Sequence, residues 1–207
     1  LASAAFAVIL VLGHAAASAR ANSANAQALQ AALEDVRSQA YIDVLTTLSN
    51  RRMFNLDFRK FLANSVRHQI RFALILIDLD GLKQVNDRFG HEPGDEILVQ
   101  SSVRLRALIR ATDSLARLGG DEFAILAADI NDPAALHAIC DRIVAAFEPE
   151  FTFGGKVLRC TVSVGVAIFP DHGDDQDALY KASDLALYTA KNAGRNTWRI
   201  FSQTPSA

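Results

Sequence analysis

The sequence runs to 207 residues, enough for one globular domain of ordinary size and some chain besides. A formal net charge of −2 makes no compositional case for a dedicated nucleic-acid binder, and 50% apolar with 21% charged residues excludes disorder for the bulk of the chain. Two cysteines, Cys140 and Cys160, exclude a disulfide scaffold and a four-cysteine zinc site.

The front end differs from the rest. Fifteen of the first forty residues are alanine, and only Arg20, Glu34, Asp35 and Arg37 are charged there. The chain opens Leu1-Ala2-Ser3 without methionine, as expected of a fragment or a processed form. Its strongly apolar core, Phe6 to Leu12, is shorter than the ~20 residues of a full membrane span. Residues 1–20 read as the end of a transmembrane helix closing at Arg20. An alanine-rich soluble helix and a signal-peptide apolar region are the alternatives. Residues 21–42 read as a helical linker. Ala26, Leu29, Leu33, Val36 and Ala40 recur at alternating spacings of three and four, a heptad-like seam. A single helix packed on its own domain is the competing reading.

From Tyr41 onward there is no repeat and no low-complexity stretch. Asn50 caps a predicted helix over 51–67 with Phe54, Phe58, Phe61 and Leu62 on one face. Phe72 to Ile77 is a continuous apolar run, expected to be a strand buried on both faces. The stretch 81–95 reads as a loop-and-cap segment, with Asn86 and Asp95 as caps. Pro93 opens a helix to 109. Strands over 115–118 and 122–127 flank Gly119-Gly120, a hairpin signal. Pro133 opens a helix to 147. Gly154-Gly155 makes a second turn between 151–153 and 157–159. A β-rich run covers 160–169, a helix covers 177–192 and ends at Gly194, and a last strand covers 198–201. The class is α/β in the α+β sense: a central, mostly antiparallel sheet flanked by helices. Cys140, Cys160, Trp198 and Phe201 read as core, and His68, His137 and His172 as surface or loop residues.

The chemistry concentrates at two acidic pairs. Asp78 ends the buried run and Asp80 follows it; acids so placed are costly to bury unless paired or bound to a metal. Asp121-Glu122 sits at the Gly119-Gly120 turn, where glycine lets a ligand approach closely. Carboxylates from neighbouring strand ends can converge on Mg2+, which takes oxygen ligands and a substrate phosphate, and such metals serve phosphoryl or nucleotidyl transfer. Two solvated turns bearing acids would be the bland alternative. Lys83 could meet a phosphate, and Asn86 and Asp95 are of types that can read a purine edge.

The blocks taken together resemble the GGDEF domain of diguanylate cyclases. Gly119-Gly120-Asp121-Glu122-Phe123 is the signature pentapeptide, and Asp43 to Arg52 resembles the family's opening motif D-x-L-T-G-L-x-N-R-R, with Thr47 in place of its glycine. Asp78 to Lys83, Asn86-Asp87, Gly90-His91 and Gly94-Asp95 resemble the nucleotide-binding stretch. Ser163 to Ala167, Ala182 to Lys191 and Gly194-Arg195-Asn196 resemble the closing motifs. The resemblance covers residues 41–201 in order.

It implies a palm-like nucleotidyl cyclase fold over 43–202, preceded by a long N-terminal helix and followed by a short tail, 203–207. It also implies the condensation of two GTP into cyclic di-GMP with loss of two pyrophosphates. Carried over by position, Asp78, the Leu79 carbonyl, Asp121 and Glu122 would bind Mg2+ or Mn2+. Asp121 is favoured to take the 3′-hydroxyl proton, with Glu122 as a ligand, and Lys83 would stabilise charge on the phosphates. Asn86, His91 and Asp95 would hold ribose and guanine. Lys191 and Arg195, four apart on a helix, would share a face and clasp the terminal phosphates. Each domain holds one GTP, so a homodimer is expected, with the Ala26–Ala40 seam as its stalk. Arg110-Ala-Thr-Asp113 resembles the family's R-x-x-D product site, where arginine forks onto guanine or phosphate and aspartate accepts from guanine. The intracellular substrate argues against export and suggests anchorage in the inner membrane, with the catalytic domain in the cytoplasm. The competing function is a catalytically silent module that binds GTP or cyclic di-GMP; the intact Asp78, Lys83, Asn86, Asp95, Asp121 and Glu122 argue against it.

Overall fold

The computed structural model describes residues 40–202 and, ahead of them, Asn25, Gln27, Leu29 and Gln30. The chain divides between Ala40 and Tyr41. The four earlier positions are helical, and Leu29 is exposed. The expected membrane segment at 1–20, the remaining linker positions up to 39 and the 203–207 tail lie outside the described residues, and the linker helix ends at Tyr41, with Ile42 bridged to Ser49. No helix among the described residues is long and apolar enough to cross a membrane.

Helix α1 (Arg51–His68) starts where expected: the Asn50 side chain accepts from the Arg52 and Met53 backbone N–H groups. Strand β1 (Phe72–Asp80) follows. It pairs antiparallel with both β3 (Glu122–Ala127) and β6 (Thr161–Phe169). Beyond β3 lies β2 (Ser114–Gly119), also antiparallel, and beyond β6 lies β7 (Thr197–Ile200), which runs parallel to it. The sheet order is therefore β2-β3-β1-β6-β7. A separate hairpin joins β4 (Phe151–Phe153) to β5 (Lys156–Leu158).

The sheet is covered on both faces, and β1 alternates between two cores. Ala73, Ile75, Ile77 and Leu79 join one core with Val85, Ile97, Leu105 and Ile139, supplied by α2 (Leu82–Phe89), α3 (His91–Arg106) and α4 (Pro133–Ala145). Phe72, Leu74 and Leu76 join the other with Phe54 and Phe58 of α1 and Leu179 and Leu187 of α5 (Gln176–Asn192). This is the period of two expected of a strand. Helix α5 lies so close to β6 that a side chain at Gly165 would come within 2.2 Å of the Ser183 carbonyl.

Three expectations change. Strand β1 does not stop at Ile77 but runs through Asp80, because Asp78 and Asp80 keep their ladder partners Ser163 and Thr161 on β6. The loop-and-cap segment is a helix: α2 buries Leu82 and Val85, three apart on one face, and Gly81 and Gly90 bracket it. Asn86 and Asp95 are consequently helix residues rather than caps, since α3 opens at His91, two residues before Pro93, and closes at Arg106. Cys140 and Cys160 are core thiols as expected, and burial pushes both up to about 12. Trp198 is half-buried and donates its indole N–H to Asp141. His172 is half-buried and accepts the Ile168 N–H at Nδ1, so it braces the end of β6.

Thr47 closes the turn from Asp43 to Leu48 with a φ of 58°, in the left-handed region that a β-branched residue enters at a cost. Thr47→Gly relieves that cost but adds chain entropy to the unfolded state. The expected net gain is ~0.5–1 kcal/mol, read as a higher denaturant midpoint with an unchanged slope.

Candidate active site

Strand parity decides where the acids go. Asp78 and Asp80 continue the even-numbered series of β1 and so leave the sheet on the face covered by α1 and α5. Asp80 is only 8% exposed, yet its carboxylate is well satisfied. Thr161 Oγ1 donates to it at 2.9 Å, Ser163 Oγ at 2.8 Å and the Asn196 N–H at 3.2 Å. The Arg195 guanidinium stands 3.8 Å away. A buried carboxylate with three donors is tolerated where a bare one is not. Asp80 thus ties β1 to β6 and to the turn after α5.

Asp78 is half-buried, and Lys191 from the last turn of α5 reaches it at 2.7 Å. Burial pushes its carboxyl above the usual range, Asp121 and Asp80 push the same way, and Lys191 pulls it partly back. Lys191 and Arg195 do not share a helix face. Helix α5 ends at Asn192, and Arg195 sits in the following turn with a φ of 63°. The turn nonetheless brings Arg195 to the same pair of acids.

Glu122 stands directly across from Asp78 in the ladder. Its carboxylate lies 3.2 Å from Arg51 of α1, which also donates to the Leu118 carbonyl at 3.0 Å. Asp121 sits in the turn, and its carbonyl accepts the Leu79 N–H at 3.2 Å. Arg117 braces this hairpin: it donates to the Gly120 carbonyl at 2.7 Å and to both oxygens of Asp43 at 3.1 and 3.3 Å. Burial pushes the Asp43 carboxyl up, but bonds from Thr46 and Arg117 outweigh it and hold the group below the usual range. Arg51 and Arg117 were not among the expected site residues, and Asp80, though paired with Asp78 in the sequence, had no expected role of its own. The arginines carry little local signal: apart from the Gly120 carbonyl, their partners lie 67 to 74 positions away along the chain.

A cleft of about 180 Å3 brings together Asp78, Leu79, Lys83, Asp121, Lys191 and Arg195. Asn86, His91 and Asp95 do not line it; they belong to the α2–α3 pair beside it. The Asn86 Oδ1 is buried and has no partner among the described residues. A side chain at Gly94 would lie 1.9 Å from that atom, so glycine at 94 leaves Asn86 its place. Arg110 and Asp113 lie outside the cleft: Asp113 accepts the Arg110 and Ala128 N–H groups at 2.8 and 3.0 Å, folding the turn before β2, while Arg110 itself is exposed.

The cleft is lined by Asp78, Asp80, Asp121 and Leu79, residues that carry hard oxygen donors, with Asp80 already engaged. No group of three or more His, Cys, Asp or Glu side chains suited to a metal occurs among the described residues. A pair of carboxylates nonetheless fits Mg2+ or Mn2+, which bind proteins through one or two carboxylates plus substrate phosphates. The Lys191 ammonium seated on Asp78 marks the place as one that draws a cation.

The family model described as diguanylate cyclase, GGDEF domain, matches residues 40–197. Diguanylate cyclase TpbB of Pseudomonas aeruginosa is 36% identical over 176 residues, covering 83% of this chain and 40% of that protein. The chain therefore spans less than half the length of this curated relative. The solved GGDEF domain of TpbB superposes with a TM-score of 0.76 at 36% identity, covering 78% of this chain and 95% of that one. The coiled coil and GGDEF domain of DgcB from Caulobacter crescentus, solved with c-di-GMP, gives a TM-score of 0.80 at 25% identity, over 89% of this chain and 97% of that one.

The two β1 acids respond oppositely to neutralisation. Asp80→Asn turns an amide toward existing donors and is expected to cost ~1–3 kcal/mol in denaturant unfolding. Asp78→Asn is expected to raise the melting temperature of the metal-free chain. The folded state raises the Asp78 pKa, so the ionised form is the penalised one, and that penalty fades as pH falls through the raised value.

Proposed function

The chain belongs to the diguanylate cyclase GGDEF domain family, and from that premise we propose that it condenses two GTP into cyclic di-GMP and two pyrophosphates. The observation that carries the reading is the cleft where Asp78 and Asp121 meet Lys83, Lys191 and Arg195: acids to hold a metal, cations to hold phosphates, on one strand end.

Asp78, Asp121 and the Leu79 carbonyl would hold Mg2+. The metal supplies Lewis-acid stabilisation of the α-phosphate and makes the attacking 3′-hydroxyl more acidic. Asp121 accepts the 3′-hydroxyl proton. The 3′-oxygen then bonds to the α-phosphorus of the other GTP, and the bond to the β-phosphate oxygen breaks with release of pyrophosphate. Lys83 and Arg195 stabilise the charge that builds on the leaving group, and Lys191 joins them by exchanging Asp78 for a phosphate. Glu122 would be a further ligand once released from Arg51, an ion pair between exposed partners that costs little to give up. Asn86, His91 and Asp95 hold the guanosine; the unpartnered Asn86 Oδ1 is the acceptor a guanine amino group would satisfy.

One cleft holds one nucleotide, so the reaction needs two copies facing each other. The seam around Leu29, itself exposed, is the stalk that pairs them. Residues 1–20 anchor the stalk at the membrane, with the catalytic domain on the cytoplasmic side where GTP is found. Arg110 and Asp113 bind cyclic di-GMP and restrain the enzyme. Each Asp113 oxygen already accepts one N–H and keeps a lone pair for guanine.

The direct test is to incubate the concentrated, nucleotide-free chain with GTP and Mg2+ and separate the products by chromatography. Cyclic di-GMP is expected, and Asp121→Asn should lower kcat by ~1,000-fold or more. No product from the parent chain would sink the activity. Gly94→Ala pushes on Asn86 and should raise KM for GTP ~10-fold with kcat nearly unchanged. Arg110→Ala should relieve inhibition by added cyclic di-GMP; inhibition at the parental strength would remove that site.

A further inference from the structure

A second, larger cavity of about 590 Å3 adjoins the cleft at the end of β1. Asp80, Gly81, Gln84 and Arg195 line both spaces. The cavity opens between α2, the end of β5 and the turn after α5, and three arginines border it: Arg88, Arg159 and Arg195.

Each guanidinium keeps donors to spare. Arg88 lies over the Phe89 ring at 4.9 Å and forms no ion pair among the described residues. Arg159 uses Nε on Glu150 at 2.8 Å, which leaves its two terminal nitrogens without a partner among the described residues. Arg195 makes only the long approach to Asp80, whose oxygens are already taken up by Thr161, Ser163 and Asn196. Lys156 adds a further positive charge over the Phe89 ring. Val85, Phe89, Val157 and Leu158 supply apolar walls, while the arginine heads stay exposed, so their pull on an anion is sensitive to salt.

We propose that this cavity is a pyrophosphate site, the place into which the leaving group moves once the α–β bond has broken. The proposal rests on the activity argued above. Within GTP the β- and γ-phosphates are tethered to the α-phosphate at Asp78 and Asp121. Free pyrophosphate is not, and forked guanidinium donors are the groups best suited to receive its oxygens. A guanine base is the poorer occupant, because the cavity offers it one side-chain amide, Gln84, beside an acid that already accepts from Thr161, Ser163 and Asn196. Arg88 and Arg159, which line this cavity and not the cleft, would therefore set the strength of inhibition by pyrophosphate with little effect on the affinity for GTP.

The test titrates inorganic pyrophosphate into the full chain by calorimetry, beside the double variant Arg88→Gln, Arg159→Gln, with melting temperature as the check on folding. The parent chain should bind pyrophosphate, and the double variant should bind it ~10-fold more weakly with a shallower salt dependence. In turnover assays the inhibition constant for pyrophosphate should rise by the same factor while KM for GTP stays within about twofold. Equal binding by both chains, no binding by the parent, or an equal rise in KM would each overturn the site. The calorimetric arm needs no turnover. Variant-dependent binding in a chain that makes no cyclic di-GMP would overturn the activity and leave the pyrophosphate site standing.

Discussion

The alternation of side chains along β1 is the constraint on which the rest of the structure depends. Every residue from Phe72 to Leu79 except Asp78 is committed to one of two apolar cores. A slip of one residue would swap those commitments and turn both acids toward Val85 and Ile97. In the observed register Asp78 and Asp80 emerge where α5 ends, and the cations there are the ones they need. The same register sets Glu122 across from Asp78 and Ser163 on its other side.

Charge at this strand end is distributed by partner exchange. Asp80 is permanently engaged by two hydroxyls and a backbone N–H. Asp78 and Glu122 are held more loosely, by Lys191 and Arg51, whose side chains are half-buried and exposed respectively. Under the proposed reaction a metal arriving with a triphosphate brings both signs of charge at once. Asp78 and Glu122 would then give up their ammonium and guanidinium partners, and Lys191 would be left free to meet a phosphate. The strand end therefore never carries several uncompensated acids in a low-dielectric setting, which would be costly. The raised Asp78 pKa is the residue of that cost, the usual exchange of stability for function at a site.

The first residues of the domain hold the hairpin that carries Asp121. Asp43 grips Arg117, Arg117 grips the Gly120 carbonyl, and Arg51 grips Glu122 and the Leu118 carbonyl. A turn that is strained at Thr47 and a helix capped by Asn50 position these groups. The hairpin is thus positioned from outside as well as by its own ladder. Changes at 43–51 should register at the acids even though none of these residues lines the cleft.

Much was legible from the sequence alone, for local reasons. Continuous apolar runs marked β1 and β6, the Asn50 and Pro133 starts marked α1 and α4, and paired glycines marked both hairpins. The acid pairs and the signature pentapeptide pointed to the candidate site. What local pattern missed is equally specific. Helix α2 is short and mostly polar, with a glycine rather than a capping side chain at its start, so it read as a loop. Spacing put Lys191 and Arg195 on one helix, whereas the helix stops before Arg195 and a left-handed turn delivers it instead. The roles of Arg51, Arg117 and Asp80 depend on partners far away in the chain. The sequence by itself determined the family and singled out the residues that the proposed chemistry uses, because motif and periodicity are written in neighbouring positions. Only the tertiary structure decided which acid is spent on the fold, which cation answers which acid, and that β7 lies parallel beside β6, because pairing across a sheet is set by strand register and helix packing between segments that the order of residues does not join.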